Sequence, residues 1–381
     1  MPGNILLLGL VSLLNDISSE IIQPILPLLI TSLGGGSLAV GLIGGLSDGL
    51  PSLLQLVSGY WSDRTGKRKP LVIAGYAISA ASKLLLPLSA GWQHVLLLRS
   101  LERCGKGVRT APRDALICES ADTAHRGRGF GLHRAMDSLG AVIGALLAYL
   151  LWRSGLSLSS IILLAGALAL LALLPFQGVR EGPRASPAAR MDPPDLPPDL
   201  LAFIAIASLF ALGNFSYMFF LLRAGQLLSG GDATGYTLLL YVLFNLVYSS
   251  LSIPVGRWSD RSGRRAVLAL GYALFAVTAV GFASASSPLM LTPLFILYGA
   301  VNALVSGSQS AFVSDLSRSS ARSTSLGLYY GAVGISSVLS GLLAGLIWEM
   351  LGPAAAFLFG ALPASLAALA IMLMRDVRLS P

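Results

Sequence analysis

Apolar stretches of about 20 residues recur along the whole chain, and this recurrence limits the folds open to it. A stretch of that length, coiled into a helix, crosses the hydrocarbon core of a bilayer. Charged residues make up 12% of the sequence, against roughly 25% in soluble domains, which is too few to cover a water-facing surface. The sequence therefore predicts an all-α membrane protein whose twelve transmembrane helices cover 4–33, 37–60, 70–90, 92–116, 130–151, 156–177, 200–224, 232–255, 266–284, 288–314, 324–348 and 353–374.

One connector, 178–199, is longer than the rest and rich in Pro, Arg and Asp. Such a composition does not form a buried helix. We expect it to be a cytoplasmic linker between two six-helix bundles, an N-terminal one over 1–177 and a C-terminal one over 200–381.

Lysine and arginine concentrate in alternate connectors, which indicates the orientation. The basic connectors and the tail contain Arg64, Lys67, Arg68, Lys69, Arg126, Arg128, Arg180, Arg184, Arg190, Arg257, Arg261, Arg264, Arg265, Arg318, Arg322, Arg375 and Arg378. The positive-inside rule puts these residues and both termini in the cytoplasm, so we expect a multi-pass protein of the cytoplasmic (inner) membrane. The same rule explains the net charge of +8, and membrane lipids rather than nucleic acid are the expected partners.

A ten-residue motif occurs once in each half. Residues 59–68 read GYWSDRTGKR and residues 256–265 read GRWSDRSGRR, a separation of 197 positions. A weaker repeat aligns Glu119, Arg126 and Gly131 with Asp315, Arg322 and Gly327. The two halves are therefore duplicated, which predicts two pseudosymmetric six-helix bundles.

With its duplicated motif, its span count and its central linker, the whole chain resembles the major facilitator superfamily. The family motif between spans 2 and 3 is G-x-L-x-D-R-x-G-R-[KR], and Trp61 and Trp258 replace its leucine here. The segments 13–29 and 99–116 look like those of a poorly characterised bacterial permease branch. Gly140 to Gly144 is similar to the family's antiporter motif G-x-x-x-G-P, with Ala145 in place of the proline. The resemblance implies the major facilitator fold, with a central cavity and alternating access by rocking of the bundles.

The duplicated motif is also the expected site of a conformational latch. A carboxylate at Asp63 or Asp260 can accept hydrogen bonds from the N-terminal amides of a facing helix, and a glycine allows the tight turn that follows. The resemblance implies that such a latch favours the outward-facing state; the alternative is a basic turn that only sets topology. The expected latch residues are Gly59, Asp63, Arg64, Gly66, Arg113, Gly256, Asp260, Arg261 and Gly263.

Acidic residues inside the first-half spans form a candidate proton-coupling site. Asp16 and Glu20 are four residues apart and therefore share a helix face, and Asp48 and Asp137 are further members of this predicted site. An ionisable group at the bilayer centre is costly, so such groups face a wet cavity or a partner. A static ion-pair network with span 4, or direct binding of substrate or cation, stays open as an alternative.

Basic residues recur on one face of span 4, at Arg99, Arg103, Lys106 and Arg113. This stripe either neutralises the acidic residues or binds an anionic substrate. The predicted charge-network and substrate residues are Lys83, Arg103, Lys106 and Arg109, with Lys83 expected to be a counter-ion within span 3.

Second-half spans carry uncharged polar side chains that can line a cavity or bond between helices. The predicted cavity-lining residues are Asn214, Tyr217, Tyr241, Asn245, Asn302 and Gln309. The sequence lacks a nucleotide-binding loop, a metal-spaced His/Cys set and a nucleophile elbow, so we expect no enzyme activity, no metal and no cofactor other than the proton gradient.

The function predicted from these features is secondary active transport of a small polar or amphipathic solute by a monomer, with proton-coupled efflux (antiport) favoured. Proton-coupled uptake (symport) of an organic anion is the alternative that the basic stripe motivates. A minor alternative is a sensor that transports nothing.

Overall fold

The computed structural model describes residues 2–120, 126–181, 196–228, 232–318 and 322–374, and regular structure in these ranges is helical. The helices are α1 (Pro2–Ile22), α2 (Leu26–Ser32), α3 (Ser37–Thr65), α4 (Arg68–Leu85), α5 (Trp92–Ser120), α6 (Arg126–Arg153), α7 (Leu158–Leu171), α8 (Pro198–Gly213), α9 (Tyr217–Leu227), α10 (Ala233–Ser262), α11 (Arg264–Ser284), α12 (Leu291–Leu316), α13 (Arg322–Leu351) and α14 (Pro353–Leu373). Short 3₁₀ turns lie at Leu86–Leu88, Leu174–Gly178 and Pro288–Met290. Most of the predicted linker, with Arg184 and Arg190, and the tail residues Arg375 and Arg378 lie outside the described residues.

The prediction of an all-α membrane protein is confirmed. In the described ranges, eleven helical segments are long and apolar enough to cross a membrane. The predicted fourth span, α5, is not among them because its charged residues lower its hydropathy, although its 29 residues are sufficient in length. Large apolar side chains are also widely exposed, for example Leu289 (85%) and Leu373 (83%). A water-soluble protein would cover such a surface, and lipid solvates it.

The chain forms two compact units, Met1–Gly35 with Leu50–Arg190 and Gly36–Gly49 with Met191–Pro381. In the first unit, α1 packs against α6 and α7, and α4 packs against α5 and α7. Its apolar core lies where α1, α4 and α5 meet the turn at Leu174–Gly178, and Tyr76 and Phe176 contact each other there with ring centroids 5.4 Å apart.

The second unit has an aromatic core. Helix α11 packs against α12 and α14, and α8 packs against α13 and α14. Phe220 lies at the centre of this core, stacked on Tyr298 with ring centroids 4.1 Å apart and in contact with Phe215, Phe282 and Phe357. Stacked and edge-to-face pairs of this kind stabilise a core beyond the area they bury.

The first apolar stretch of each half is interrupted, which the apolar pattern does not predict. The first span is divided into α1 and α2 near Pro24, whose ring cannot donate a helical hydrogen bond. The seventh is divided into α8 and α9 at 214–216. Interrupted helices leave free backbone groups, and in transporters these commonly line a cavity.

Helix α3 belongs to both units, since its first part lies in Gly36–Gly49. Within the second unit this part packs on α13 through glycines: a Cβ built on Gly41 would meet the backbone of Gly341, and one on Gly49 would lie 2.5 Å from the oxygen of Gly334. The Glu349 carboxylate also accepts a hydrogen bond of 3.2 Å from the backbone N–H of Leu38. The predicted bundle over 1–177 includes this segment, and those boundaries stay a prediction.

Candidate functional site

The face of α1 that carries Asp16 and Glu20 lies against α6. Two glycines make this close approach possible, since a Cβ on Gly140 would lie 3.1 Å from the Asp16 Cβ and one on Gly144 would lie 2.7 Å from the Glu20 Cβ. The G-x-x-x-G pattern therefore brings the backbone of α6 close to α1 at both Asp16 and Glu20. Gln23 donates a hydrogen bond to Glu20.

Asp16 is half-buried and surrounded by charge. Asn15 donates a hydrogen bond of 3.4 Å to its Oδ1. The charge of Asp137, on α6, acts on Asp16, and so do the cations Lys106, Arg109 and Arg113 of α5. The structure thus brings Asp16 and Asp137 into one electrostatic environment, where α1, α5 and α6 meet. We refer to Asp16 and Asp137 as the acidic pair.

Arg113 and His133 connect the acidic pair to its surroundings. His133 Nδ1 lies 3.3 Å from Asp137 Oδ2, one helical turn away on α6. Arg113 donates to Ser12 on α1 at 3.4 Å and forms an ion pair of 2.9 Å with Asp114. Arg113 therefore lies beside the acidic pair, and the ion pair of Asp63 is formed with Arg68.

Four further charged residues of α5 are buried, namely Arg99, Glu102, Arg103 and Arg109. Glu102 accepts from Arg99 at 2.5 Å and lies 3.5 Å from the Nε of Arg103. Arg109 donates a hydrogen bond of 2.6 Å to Ser79 on α4, and its guanidinium lies 4.2 Å from the ring centroid of Tyr76. Ion pairing with Glu102 thus holds Arg99 and Arg103 of the stripe, and a cation–π contact holds Arg109 beside it. Lys106, by contrast, is exposed.

Lys83, the predicted counter-ion of span 3, has neutral groups as its hydrogen-bond partners. Its side chain is 2% exposed, and its Nζ donates to oxygens of Asn15, Ser18 and Ser19 on α1, all of them uncharged. Asp48 stays a predicted member of the coupling site. It lies in Gly36–Gly49, which belongs to the second unit, and its side chain is exposed.

The duplicated motifs form two similar ion triads. Arg68 pairs with Glu119 and lies 3.5 Å from Asp63. In the second unit Arg264 lies 2.6 Å from Asp260 and 3.1 Å from Asp315. The weak repeat of Glu119 and Asp315 is therefore a repeat of ion-pair partners.

The turn of each motif depends on glycine, since Gly66 and Gly263 have φ angles of 62° and 90°, in the region that favours glycine. The side chains of Arg64 and Arg261 are exposed, and Gly59 and Gly256 are partly buried inside α3 and α10. A different carboxylate lies at the N-terminus of α4, where Glu181 accepts from the backbone N–H groups of Arg68 and Lys69 at 2.7 Å each.

The second unit contains a cavity of about 110 Å³ beside the break between α8 and α9. Asn214, Asn302 and Gln309 line it together with Ser306, Ser337 and Phe210. The Gln309 amide is fixed from both sides, because its Nε2 donates to Tyr272 and its Oε1 accepts from Tyr329, each at 2.8 Å.

The other predicted cavity residues lie together on neighbouring helices. Tyr217 and Tyr241 contact each other with ring centroids 5.6 Å apart, and Asn245 is buried and donates to the backbone oxygen of Tyr241 at 3.2 Å. They are not part of the lining of the 110 Å³ cavity.

Sequence reasoning missed Asn15, Ser18, Ser19, Tyr272 and Tyr329. The three α1 residues carried a usable signal, because positions i, i+3 and i+4 share one helix face and polar residues there need partners inside a membrane protein. The two tyrosines carried none, since their bonds to Gln309 depend on how α11, α12 and α13 pack.

A profile of the Major Facilitator Superfamily matches residues 8–240 and 201–381. The chain belongs to the Major Facilitator Superfamily. It is 44% identical over 379 residues to an uncharacterized MFS-type transporter of Methanocaldococcus jannaschii, covering 98% of this chain and 95% of that protein. Over 118 residues, 31% of this chain and 29% of the relative, it is 33% identical to multidrug resistance protein MdtH of Yersinia pestis.

Among solved structures, a point mutant of the nucleoside transporter NupG superposes with a TM-score of 0.82, at 16% identity, over 98% of this chain and 100% of that one. The expected major facilitator fold is thus confirmed. Membership makes the chain a multi-pass membrane transporter for a small molecule and not an enzyme.

Proposed function

We propose that this transporter is a proton-coupled exporter of a small polar or amphipathic solute, with the acidic pair as its coupling site. The observation that carries the proposal is that Asp16 and Asp137 lie on two helices that pack on each other, α1 and α6, within electrostatic range of each other and of the α5 cations Lys106, Arg109 and Arg113. We further propose that it works as a monomer in the cytoplasmic membrane, with both termini in the cytoplasm.

The coupling step follows from charge balance around the acidic pair. A proton that binds Asp16 removes one negative charge, and the attraction between α1 and the cations of α5 weakens accordingly. A proton shifts a conformational equilibrium only if the two states bind it with different affinity. The half-buried position of Asp16 supports this role, because proton exchange needs a path to water.

The solute-binding role belongs in this proposal to the neutral cavity of the second unit. Its amides and hydroxyls offer both donors and acceptors, and Phe210 offers an apolar wall. A ligand pocket with a few fixed polar groups on an apolar lining suits a polar or amphipathic molecule. The partial similarity to MdtH supports export.

Proton-coupled uptake of an organic anion is the second candidate. It is favoured by Lys106, which is exposed on the face of α5 next to Asp16. A lysine at that point can bind a carboxylate of the solute instead of the carboxylate of Asp16. A sensor that transports nothing is a minor further candidate, and detected flux of any solute excludes it.

Proteoliposomes with an imposed pH gradient test the proposal, with ethidium as the amphipathic probe and para-aminobenzoate as the organic-anion probe. Export coupling predicts that ethidium moves against the proton flow, whereas symport predicts that para-aminobenzoate moves with it. Asp16→Asn removes the titrating group and is expected to abolish gradient-driven flux while solute counterflow continues. Flux of either probe that ignores the gradient in the wild type contradicts proton coupling.

Asp199→Asn is the matched control, since Asp199 is an exposed carboxylate at the start of α8. It is expected to retain full coupling. Glu20→Gln and Asp137→Asn extend the series to the other predicted coupling residues of the first unit. If Asp16→Asn, Glu20→Gln and Asp137→Asn all couple normally, the coupling site is elsewhere.

A further inference from the structure

Lys83 occupies a cage built entirely from neutral oxygens. Its Nζ lies 2.8 Å from Ser19 Oγ, 3.1 Å from Ser18 Oγ, and 3.4 Å from both the backbone oxygen and the side-chain Oδ1 of Asn15. All four residues are less than 9% exposed. An ammonium removed from water needs oxygens to replace its hydration, and α1 supplies four of them.

The charges that face Lys83 from neighbouring helices offset one another. Glu102 of α5 and Asp16 of α1 attract the ammonium, while Arg99 and Arg109 of α5 repel it. Helix α7, which also packs on α4, has no titratable residue in Leu158–Leu171. The groups in direct contact with Nζ are therefore the oxygens, and no carboxylate is among the hydrogen-bond acceptors found for it in the described chain.

Hydrogen bonds on the far side of the cage orient two of its side-chain oxygens toward Lys83. The Ser18 hydroxyl donates its proton to the backbone oxygen of Ala165 at 2.6 Å, so its lone pairs are free for a cation. The Asn15 amide group donates to Asp16, which turns its Oδ1 toward Lys83. The acceptor geometry of Ser18 and Asn15 is thus fixed by groups other than Lys83, and it persists if the ammonium is removed.

A carbonyl, an amide oxygen and hydroxyls are also the ligands that hard cations take from proteins. A set of ligand oxygens without carboxylates carries no net charge, and it therefore suits a monovalent cation. We propose that Asn15, Ser18 and Ser19 form a monovalent-cation site that the Lys83 ammonium fills, so that sodium cannot bind while the lysine is present. The site adjoins the acidic pair through Asn15, which contacts both Lys83 and Asp16.

The consequence for transport rests on the proposed function. Because the Lys83 ammonium is a covalently attached cation next to the acidic pair, the proton is the only ion that changes the charge of this region during a transport cycle. The coupling is therefore independent of sodium. The site itself is tested without any transport measurement, so a failure of the proposed coupling and a failure of this site give different results.

The test uses purified full-length protein in detergent and follows its Tm by tryptophan fluorescence, in NaCl against choline chloride at equal ionic strength. Lys83→Ala empties the cage, and saturating Na⁺ is expected to raise its Tm by about 5 °C. Binding of radiolabelled Na⁺, measured by scintillation proximity, is expected for this variant and absent for the wild type.

Two variants control for the vacancy and its ligands. Lys83→Met fills the same space without a charge and is expected to show no response to Na⁺. Adding Ser19→Ala to Lys83→Ala removes one ligand and is expected to weaken Na⁺ binding at least about tenfold, because each buried ligand oxygen of a cation is costly to lose. Lys67→Ala, at an exposed lysine, controls for loss of a lysine in general.

The proposal is overturned if Lys83→Ala folds and neither its Tm nor its radiolabel binding distinguishes NaCl from choline chloride. If Lys83→Ala does not fold in choline chloride, Lys83→Ser is prepared alongside it with Na⁺ present throughout. Recovery of folded protein by Na⁺ in either variant supports the site. Failure of both in Na⁺ overturns it, because a sodium-filled cage would replace the lost charge.

Discussion

The two units differ in what their interiors contain. Buried charged side chains of the described chain lie in the first unit, namely Lys83, Arg99, Glu102, Arg103 and Arg109. The buried polar residues described in the second unit, such as Asn245 and Gln309, are uncharged, and its core is a cluster of aromatic rings. A duplicated fold has thus acquired two different interiors.

This difference indicates how duplicated units can divide labour. Ionisable groups in a low-dielectric interior interact strongly, and their interactions change when a proton binds. Amides and aromatic rings can bind a solute, but their charge does not change when protons become available. In the proposed transporter the first unit accordingly provides ion coupling and the second provides solute binding. Three predictions test this difference between the units, from the largest expected effect to the smallest.

Glu102→Gln is expected to give the largest loss. It removes the carboxylate shared by Arg99 and Arg103 and leaves two buried cations without it, and breaking a buried ion pair in this way costs about 3–5 kcal/mol. The free energy of unfolding in denaturant is the measurement. Asp315→Asn, which removes an ion-pair carboxylate that is 32% exposed in the second unit, should cost below about 1 kcal/mol. Equal losses of unfolding free energy in Glu102→Gln and Asp315→Asn would contradict the proposed difference between the units.

Gln309→Leu is expected to have an intermediate effect in the second unit. It leaves the hydroxyls of Tyr272 and Tyr329 buried without their amide partner, at about 1–3 kcal/mol for each unsatisfied group. Adding Tyr272→Phe and Tyr329→Phe removes the orphaned hydroxyls and is expected to recover most of the stability. A triple variant as unstable as Gln309→Leu would show that volume, not hydrogen bonding, determines this site.

Arg68→Ala and Arg264→Ala are expected to have the smallest and most similar effects. Each removes the centre of a surface ion triad, in which Asp63 is 58% and Asp260 is 62% exposed, and surface ion pairs contribute about 0–1 kcal/mol. Chemical unfolding of both variants should therefore show nearly unchanged stability, even if transport rates change. A large loss for one alone would mean that the duplicated motif has a structural role in only one unit.

Much of the fold could be predicted from apolar stretch length and the repeat. The sequence places helix α5 correctly despite its charges, because its neighbours fix the spacing of the spans. The breaks at 22–26 and 214–216 are not predicted, since the apolar run continues through both; Pro24 is a local signal for the first break, whereas the second has no proline.

The site was harder to predict than the fold. The shared face of Asp16 and Glu20 follows from their spacing, whereas the neutral hydrogen-bond partners of Lys83 on α1 were not predicted. Its partners depend on the rotation of α1 against α4, which sequence does not encode locally. The position of Asp48 has a similar explanation. The sequence predicts that Asp48 lies in the helix α3, but it does not predict that the first part of α3 packs with the second unit.

The segment 36–49 has a practical consequence for dividing the molecule. It is joined by peptide bonds to the first unit but packs on α13 through Gly41 and Gly341. At this contact a side chain on either helix would collide with the backbone of the other. Cleavage of the chain in the central linker would leave this segment on the N-terminal fragment, although it packs with the second unit. The fragment 200–381 alone would present a glycine groove to lipid, so the two fragments are best produced together rather than refolded separately.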